Sequence, residues 1–190
     1  MNALVASAHE RGLRVVAHAA APGAVEMALE AGADLLTHVP LGPPLPPELA
    51  ERIPVAVPTL TMMEGIAQAT GRAEAFAGAS ESVSLLHQAG VPILAGTDAN
   101  TQPGAPFQVP HGESIHHELE LLVAAGLSTV EALRSATSLP AQHFGLTDRG
   151  AIKPGLRADL VLLGSDPVAD IRATRDILQV WCAGTQHTPH

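Results

Sequence analysis

The chain has a single cysteine, Cys182, no tyrosine and only 2% aromatic residues. One thiol excludes an intramolecular disulfide framework and fits a reducing, cytoplasmic compartment. With so few aromatics the core must be built from Ala, Val, Leu and Ile. Basic residues are also scarce, 10 Lys+Arg against 19 Asp+Glu, for a net charge of −9. That balance lacks the electrostatic footprint of a nucleic-acid binder. Charged residues are 15% and hydrophobic ones 46%, which excludes a disordered chain. No apolar run reaches the roughly 18 residues a membrane helix needs. Met1 to Glu10 has no basic n-region, so it does not read as a signal peptide. Neither a phosphate-cradling glycine loop nor a G-x-S-x-G elbow occurs. What the chain has in excess is histidine, ten in 190 residues, with 17 Gly and 16 Pro spread as turn punctuation.

The first half alternates helical and continuously apolar segments. Helical character is expected over Asn2–Arg11, stopped by Gly12, and over Pro22–Ala31, ended by Gly32. Further helical pieces are expected over Glu48–Ile53 and Ala73–Ala89. Between them lie four apolar runs, Leu13–Ala19, Asp34–Val39, Val55–Leu60 and Val91–Ala95. Short apolar strands separated by helices indicate βα units and a parallel sheet. An open doubly wound sheet and a closed (β/α)8 barrel fit this pattern equally. The second half begins with helices expected over Glu113–Ala125, Thr129–Thr137 and Pro140–Phe144, with Ser128 as a cap. Asp159–Leu163 and Ile177–Cys182 read as strands after the Lys153-Pro154-Gly155 turn. Two units are therefore expected, residues 1–146 and a small β appendage, residues 147–190.

The chemistry is concentrated where the apolar runs end. The first finishes in Val15-Val16-Ala17-His18, the second in Leu35-Leu36-Thr37-His38, and the fourth in Leu94-Ala95-Gly96-Thr97-Asp98. In parallel α/β proteins the C-terminal strand ends share one face, and that face carries the active site. Two imidazoles and a carboxylate there suit Zn²⁺ and similar divalent ions. A lone histidine after an apolar run is ordinarily a hydrogen-bonded structural residue, and Asp98 alone could cap a following helix. Three such residues at the ends of three βα units favour a shared site. His111, beyond the Pro/Gly-rich loop after Asp98, is a candidate for substrate contact. His9, His87, His116 and His117 fall on helical stretches among polar neighbours and are expected on solvated faces. His143 is expected to pack in a short helix, and His187 and His190 are tail residues. Cys182 is expected as a buried structural thiol.

Taken in order, these motifs resemble the amidohydrolase superfamily, in its imidazolonepropionase-like and prolidase-like branch. The resemblance runs through the three strand ends, His111-Gly112-Glu113-Ser114, Glu118-Leu119-Glu120-Leu121-Leu122-Val123-Ala124-Ala125-Gly126 and Glu131-Ala132-Leu133-Arg134-Ser135-Ala136-Thr137. It closes with Gly150-Ala151-Ile152-Lys153-Pro154-Gly155-Leu156-Arg157-Ala158-Asp159-Leu160-Val161, so it covers nearly the whole chain. It implies an α/β fold, the C-terminal half of a (β/α)8 TIM-type barrel (strands five to eight), followed by part of a small β-sandwich. It implies that His18 and His38 are metal ligands and that Asp98 is both ligand and general base. The implied reaction is hydrolysis of a carbon–nitrogen bond in an amide, cyclic amide or dipeptide-like substrate by metal-activated hydroxide.

The chain departs from the family pattern in two ways. It has no His-x-His pair, and its only lysine is Lys153 in the appendage turn, so a family-type metal-bridging lysine has no match. A full barrel takes about 250 residues, and half the ligand set would be absent from this chain. Weak metal binding and negligible turnover are therefore expected of it alone. A homo-oligomer or a complementary N-terminal half is the expected partner, because unpaired strand edges drive association. Two other readings remain open, a mononuclear deaminase and a non-catalytic remnant or assembly subunit.

Overall fold

A computed structural model describes residues 1–105 and 107–188. His190 therefore lies outside the described residues. Helix α1 (Asn2–His9) leads into strand β1 (Val16–His18), then α2 (Pro22–Ala31), β2 (Leu35–Thr37), the short α3 (Pro47–Ala50) and β3 (Ala56–Val57). These strands form a parallel sheet in sequence order, β1-β2-β3, with Val16 opposite Leu35 and Leu36 opposite Ala56. The fourth apolar run, Val91–Ala95, joins next to β3 at one parallel bridge, Ile93 to Ala56. Each new strand is added on the same side, with no reversal of direction. A segment of a barrel and one half of a doubly wound sheet both add strands this way.

Alternation along the strands sorts the core. Ala17, Leu36, Ala56 and Ile93 face the helices and join the main core with Val25, Ala28, Leu60, Val83, Leu86 and Leu122. Their neighbours Leu35, Val55 and Leu94 point to the opposite face and form a second, smaller cluster with Val57 and Leu139. Strand β2 is thus buried on both sides, as its unbroken apolar run anticipates. Strand β1 is not. Val16 is 49% exposed, and His18 on the same face is exposed too.

Helix α4 (Leu60–Ala69) follows β3 almost at once, so the expected strand Val55–Leu60 contracts to two residues. The expected helix 73–89 resolves into a 3-10 turn (Ala73–Ala75) and α5 (Phe76–Gln88). Then come α6 (Ser114–Ala124), α7 (Thr129–Ser135) and α8 (Ser138–His143). Helix α7 opens on a capping box, in which Ser128 Oγ accepts from the Glu131 N–H while Glu131 accepts from the Ser128 N–H. The last segment is an antiparallel sheet of β4 (Leu160–Leu163), β5 (Ile177–Cys182) and β6 (Thr185–His187). Strand β6 pairs with β5 through Cys182–Thr185. Cys182 is exposed, 3.5 Å from an Arg157 guanidinium nitrogen. The burial expected of it fails because, among the described residues, no layer covers that face of β5, where Leu178 is 55% exposed. Ile171, in the 3-10 turn Ile171–Arg175, is 6% exposed and anchors this segment in the main core.

Candidate metal centre

The parallel ladder places its strand C-termini side by side. His18 is the last residue of β1, opposite Thr37 of β2, and His38 follows directly. The two imidazoles pack edge to face with centroids 4.4 Å apart and planes inclined at 68°. Strand pairing continues through His38, whose backbone N–H donates to the Val57 carbonyl at 2.9 Å. Its Nδ1 lies 2.7 Å from the Thr59 hydroxyl oxygen.

Three successive strand ends carry a non-glycine residue in the left-handed region: His38 (φ 71°), Thr59 (φ 51°) and Asp98 (φ 56°). Such conformations cost free energy and concentrate at functional sites. All three follow a segment of the parallel sheet, so the strain belongs to one face of the molecule.

Electrostatics ties Asp98 to the pair. Burial holds the His38 pKa below its ordinary value, and the positive charge of His18 adds to that. The Asp98 carboxylate acts in the opposite direction. The net result favours neutral His38, the form that can donate a lone pair to a metal. Asp98 itself is exposed. It does not cap a helix, because a loop runs from it to α6, where the Asn100 N–H donates to the Val109 carbonyl at 3.1 Å.

Among the described residues, no group of three or more His, Cys, Asp and Glu side chains is gathered closely enough to hold a metal. The donor chemistry present is two adjacent imidazoles with a carboxylate in electrostatic reach. This fits part of a divalent-metal ligand set. Sequence reasoning places the three groups around one cavity; two surface depressions of the structure are lined by other residues. One, below the strands, is lined by residues including Arg14, Asp34, Arg52 and His143. The other, beside α4 and α6, is lined by residues including Glu64, Phe107, Glu113, His117 and Arg175. His111 is exposed in the turn before α6, and none of its described hydrogen bonds or ring contacts reaches His18, His38 or Asp98.

Three of the other histidines pair with carboxylates. His9 pairs with Asp34 at 2.9 Å, His87 with Glu131 at 3.1 Å and His117 with Glu64 at 2.7 Å. Sequence reasoning missed Thr59 and Glu118. The Glu118 carboxylate is fully buried and accepts from the Leu60 N–H, the Thr61 N–H and the Thr61 hydroxyl at 2.7–2.9 Å. Burial pushes its pKa up to about 7 against those hydrogen bonds. The signal that could have found it is helical spacing, because Glu118 stands four residues before Leu122 and beside Leu119 on the buried stripe of α6.

Residues 1–186 match the profile of the amidohydrolase family. The chain belongs to the amidohydrolase family. Among amidohydrolase relatives, the imidazolonepropionase of Deinococcus deserti is 30% identical over 96% of this chain and 44% of its own length. A solved Xaa-Pro dipeptidase with methionine bound in its active site superposes with a TM-score of 0.83 at 25% identity. It covers 99% of this chain and 48% of its own. A solved phenylurea hydrolase B gives a TM-score of 0.75 at 30% identity, over 97% of this chain and 45% of its own. The chain therefore spans about half the length of the amidohydrolase relatives it matches, and its α/β fold is theirs over that span.

Proposed function

We propose that this chain forms the C-terminal, metal-holding half of an amidohydrolase (β/α)8 barrel, residues 1–146, with part of a β-sandwich, residues 147–190. Sheet order is consistent with the barrel, since strands added in sequence without reversal are what a closing barrel requires. The reaction is hydrolysis of a carbon–nitrogen bond in a small amide or dipeptide-like substrate. The names of the relatives, a dipeptidase and a phenylurea hydrolase among them, support that substrate class. One observation carries the site, the His18–His38 ring pair at the C-terminal ends of adjacent parallel strands.

His18 and His38 would hold a divalent ion, with Zn²⁺ the leading candidate, and Asp98 would contribute a carboxylate. When bound, such an ion supplies Lewis acidity and brings the pKa of its water towards neutrality. Asp98 would take the proton released as hydroxide attacks the carbonyl and return it to the leaving amine. His111, on the loop beyond Asp98, would meet the substrate rather than the ion. The complementary strands and the remaining ligands come from an N-terminal half. The acidic surface and lone thiol suit a cytoplasmic setting.

The test is reconstitution with an N-terminal half carrying His-x-His, assayed with Zn²⁺ on Xaa-Pro dipeptides and cyclic amides. Metal-dependent hydrolysis is expected, falling roughly 10²–10⁴-fold in Asp98→Asn. Hydrolysis that survives the double change His18→Ala and His38→Ala would overturn the assignment.

A further inference from the structure

Helix α4 begins in an unusual way. A threonine at the N-cap ordinarily spends its hydroxyl on the backbone N–H groups of the first turn. Thr59 occupies that position and makes no such bond. Its capping work is done from another helix, by Glu118 of α6, whose carboxylate takes both the Leu60 and Thr61 N–H groups. The Thr59 hydroxyl is left free to meet His38 Nδ1 at 2.7 Å. Thr59 is 3% exposed and sits at φ 51°, a costly conformation for a β-branched residue. Burial, strain and a cap supplied from elsewhere all hold one hydroxyl against one imidazole.

We infer that Thr59 is a positioning residue for His38: its hydroxyl oxygen accepts a hydrogen bond from Nδ1–H, fixing the ring so that Nε2 carries the free lone pair, while Glu118 clamps the helix start that presents Thr59. The inference rests on the reading of His38 as a metal ligand. A ligating imidazole characteristically donates its second N–H to a fixed acceptor, and losing that acceptor typically weakens metal binding 10–100-fold. Neither Thr59 nor Glu118 would touch the ion or the substrate.

The test uses the ¹⁵N-labelled full chain without metal, reading the His38 ring nitrogens by long-range ¹H–¹⁵N correlation at pH 8. The wild type is expected to show a single tautomer protonated at Nδ1. Thr59→Val removes the hydroxyl at constant shape and should give a mixture shifted towards Nε2–H. Thr59→Ser should restore the wild-type pattern. Thr59→Gly relieves the left-handed strain and so stays foldable, and it should match the valine variant. Wild-type protonation at Nε2, or ring shifts unchanged in both the valine and glycine variants, would overturn the inference. Zn²⁺ titration of the same proteins should then show a 10–100-fold weaker affinity without the hydroxyl, recovered by serine. If Zn²⁺ binding is indifferent to His18→Ala and His38→Ala, the metal reading fails, while the ring shifts still decide whether Thr59 positions His38.

Discussion

Glu118 shows how a single buried side chain can set the pH response of this fold. Its carboxyl has an ordinary value of 4.5, and burial raises it to about 7 in the folded chain. Between those two values the folded protein holds a proton that the unfolded chain has released. Stability from this group is therefore full below 4.5, falls as pH rises through the window, and is flat above about 7. The loss is on the order of 3 kcal/mol. The hydrogen bonds from Thr61 and Leu60 limit the rise, and the His117 charge adds to them. Glu118→Gln cannot titrate and cannot offer two acceptor oxygens to the α4 N-terminus, so it should be less stable than wild type at every pH. Denaturant unfolding at pH 5 and pH 8 should show the wild-type advantage over this variant shrinking towards pH 8. An advantage that is constant or grows would contradict the raised carboxyl.

Gly78 in α5 and Ser128 before α7 carry predictions at the scale of elements. The loop after β2 is stitched to α5 by the Gly42 N–H to the Ala75 carbonyl at 2.8 Å and the Leu45 N–H to Ser82 Oγ at 2.9 Å. A methyl at Gly78 would run into the Gly42 carbonyl, which is backbone and cannot swing away. Gly78→Ala should gain about 1 kcal/mol in helix propensity and lose more to overpacking, so its melting temperature should fall. Ser128→Ala removes the capping box and should cost about 1 kcal/mol near neutral pH. The hydrogen bonds from Ser128 hold the Glu131 carboxyl down at about 2. That contribution is present above the ordinary 4.5 and fades as pH falls through about 2, so the cost of Ser128→Ala should shrink in acid. These elements also show what the sequence can and cannot disclose. Helix α2 is legible to the residue, because Pro22 opens it and Gly32 closes it in the left-handed region at φ 80°. Helix α4 is not, because its cap comes from Glu118, 58 residues along the chain, and no local signal marks its start. The His18–His38 pair is legible because strand ends in a parallel sheet must adjoin. The Thr59 contact is not, because it depends on a left-handed turn that single-sequence propensity does not foresee for threonine.

The molecule as a whole combines a well-tied appendage with an open sheet. Arg175 reaches Glu120 of α6 at 2.7 Å, and the Thr129 hydroxyl donates to the Val168 carbonyl at 2.7 Å, so the small antiparallel sheet is linked to the helical layer. The parallel sheet has no such closure. Strand β1 pairs only with β2 among the described residues, and its other edge carries unpaired backbone. Around that edge Leu4 is 77%, Leu13 58% and Val16 49% exposed. A parallel sheet is normally covered on both faces, and a free apolar edge is a template for another chain. The isolated chain should therefore self-associate, with a light-scattering mass that rises with concentration. Val16→Lys places a charge on the open face beside His18 and should shift the population towards monomer without disturbing the covered core. The association should also persist in high salt, because apolar burial and backbone pairing rather than surface ion pairs would hold it together. A wild-type chain that stays monomeric at high concentration would mean that β1 is covered in solution by something these contacts do not include.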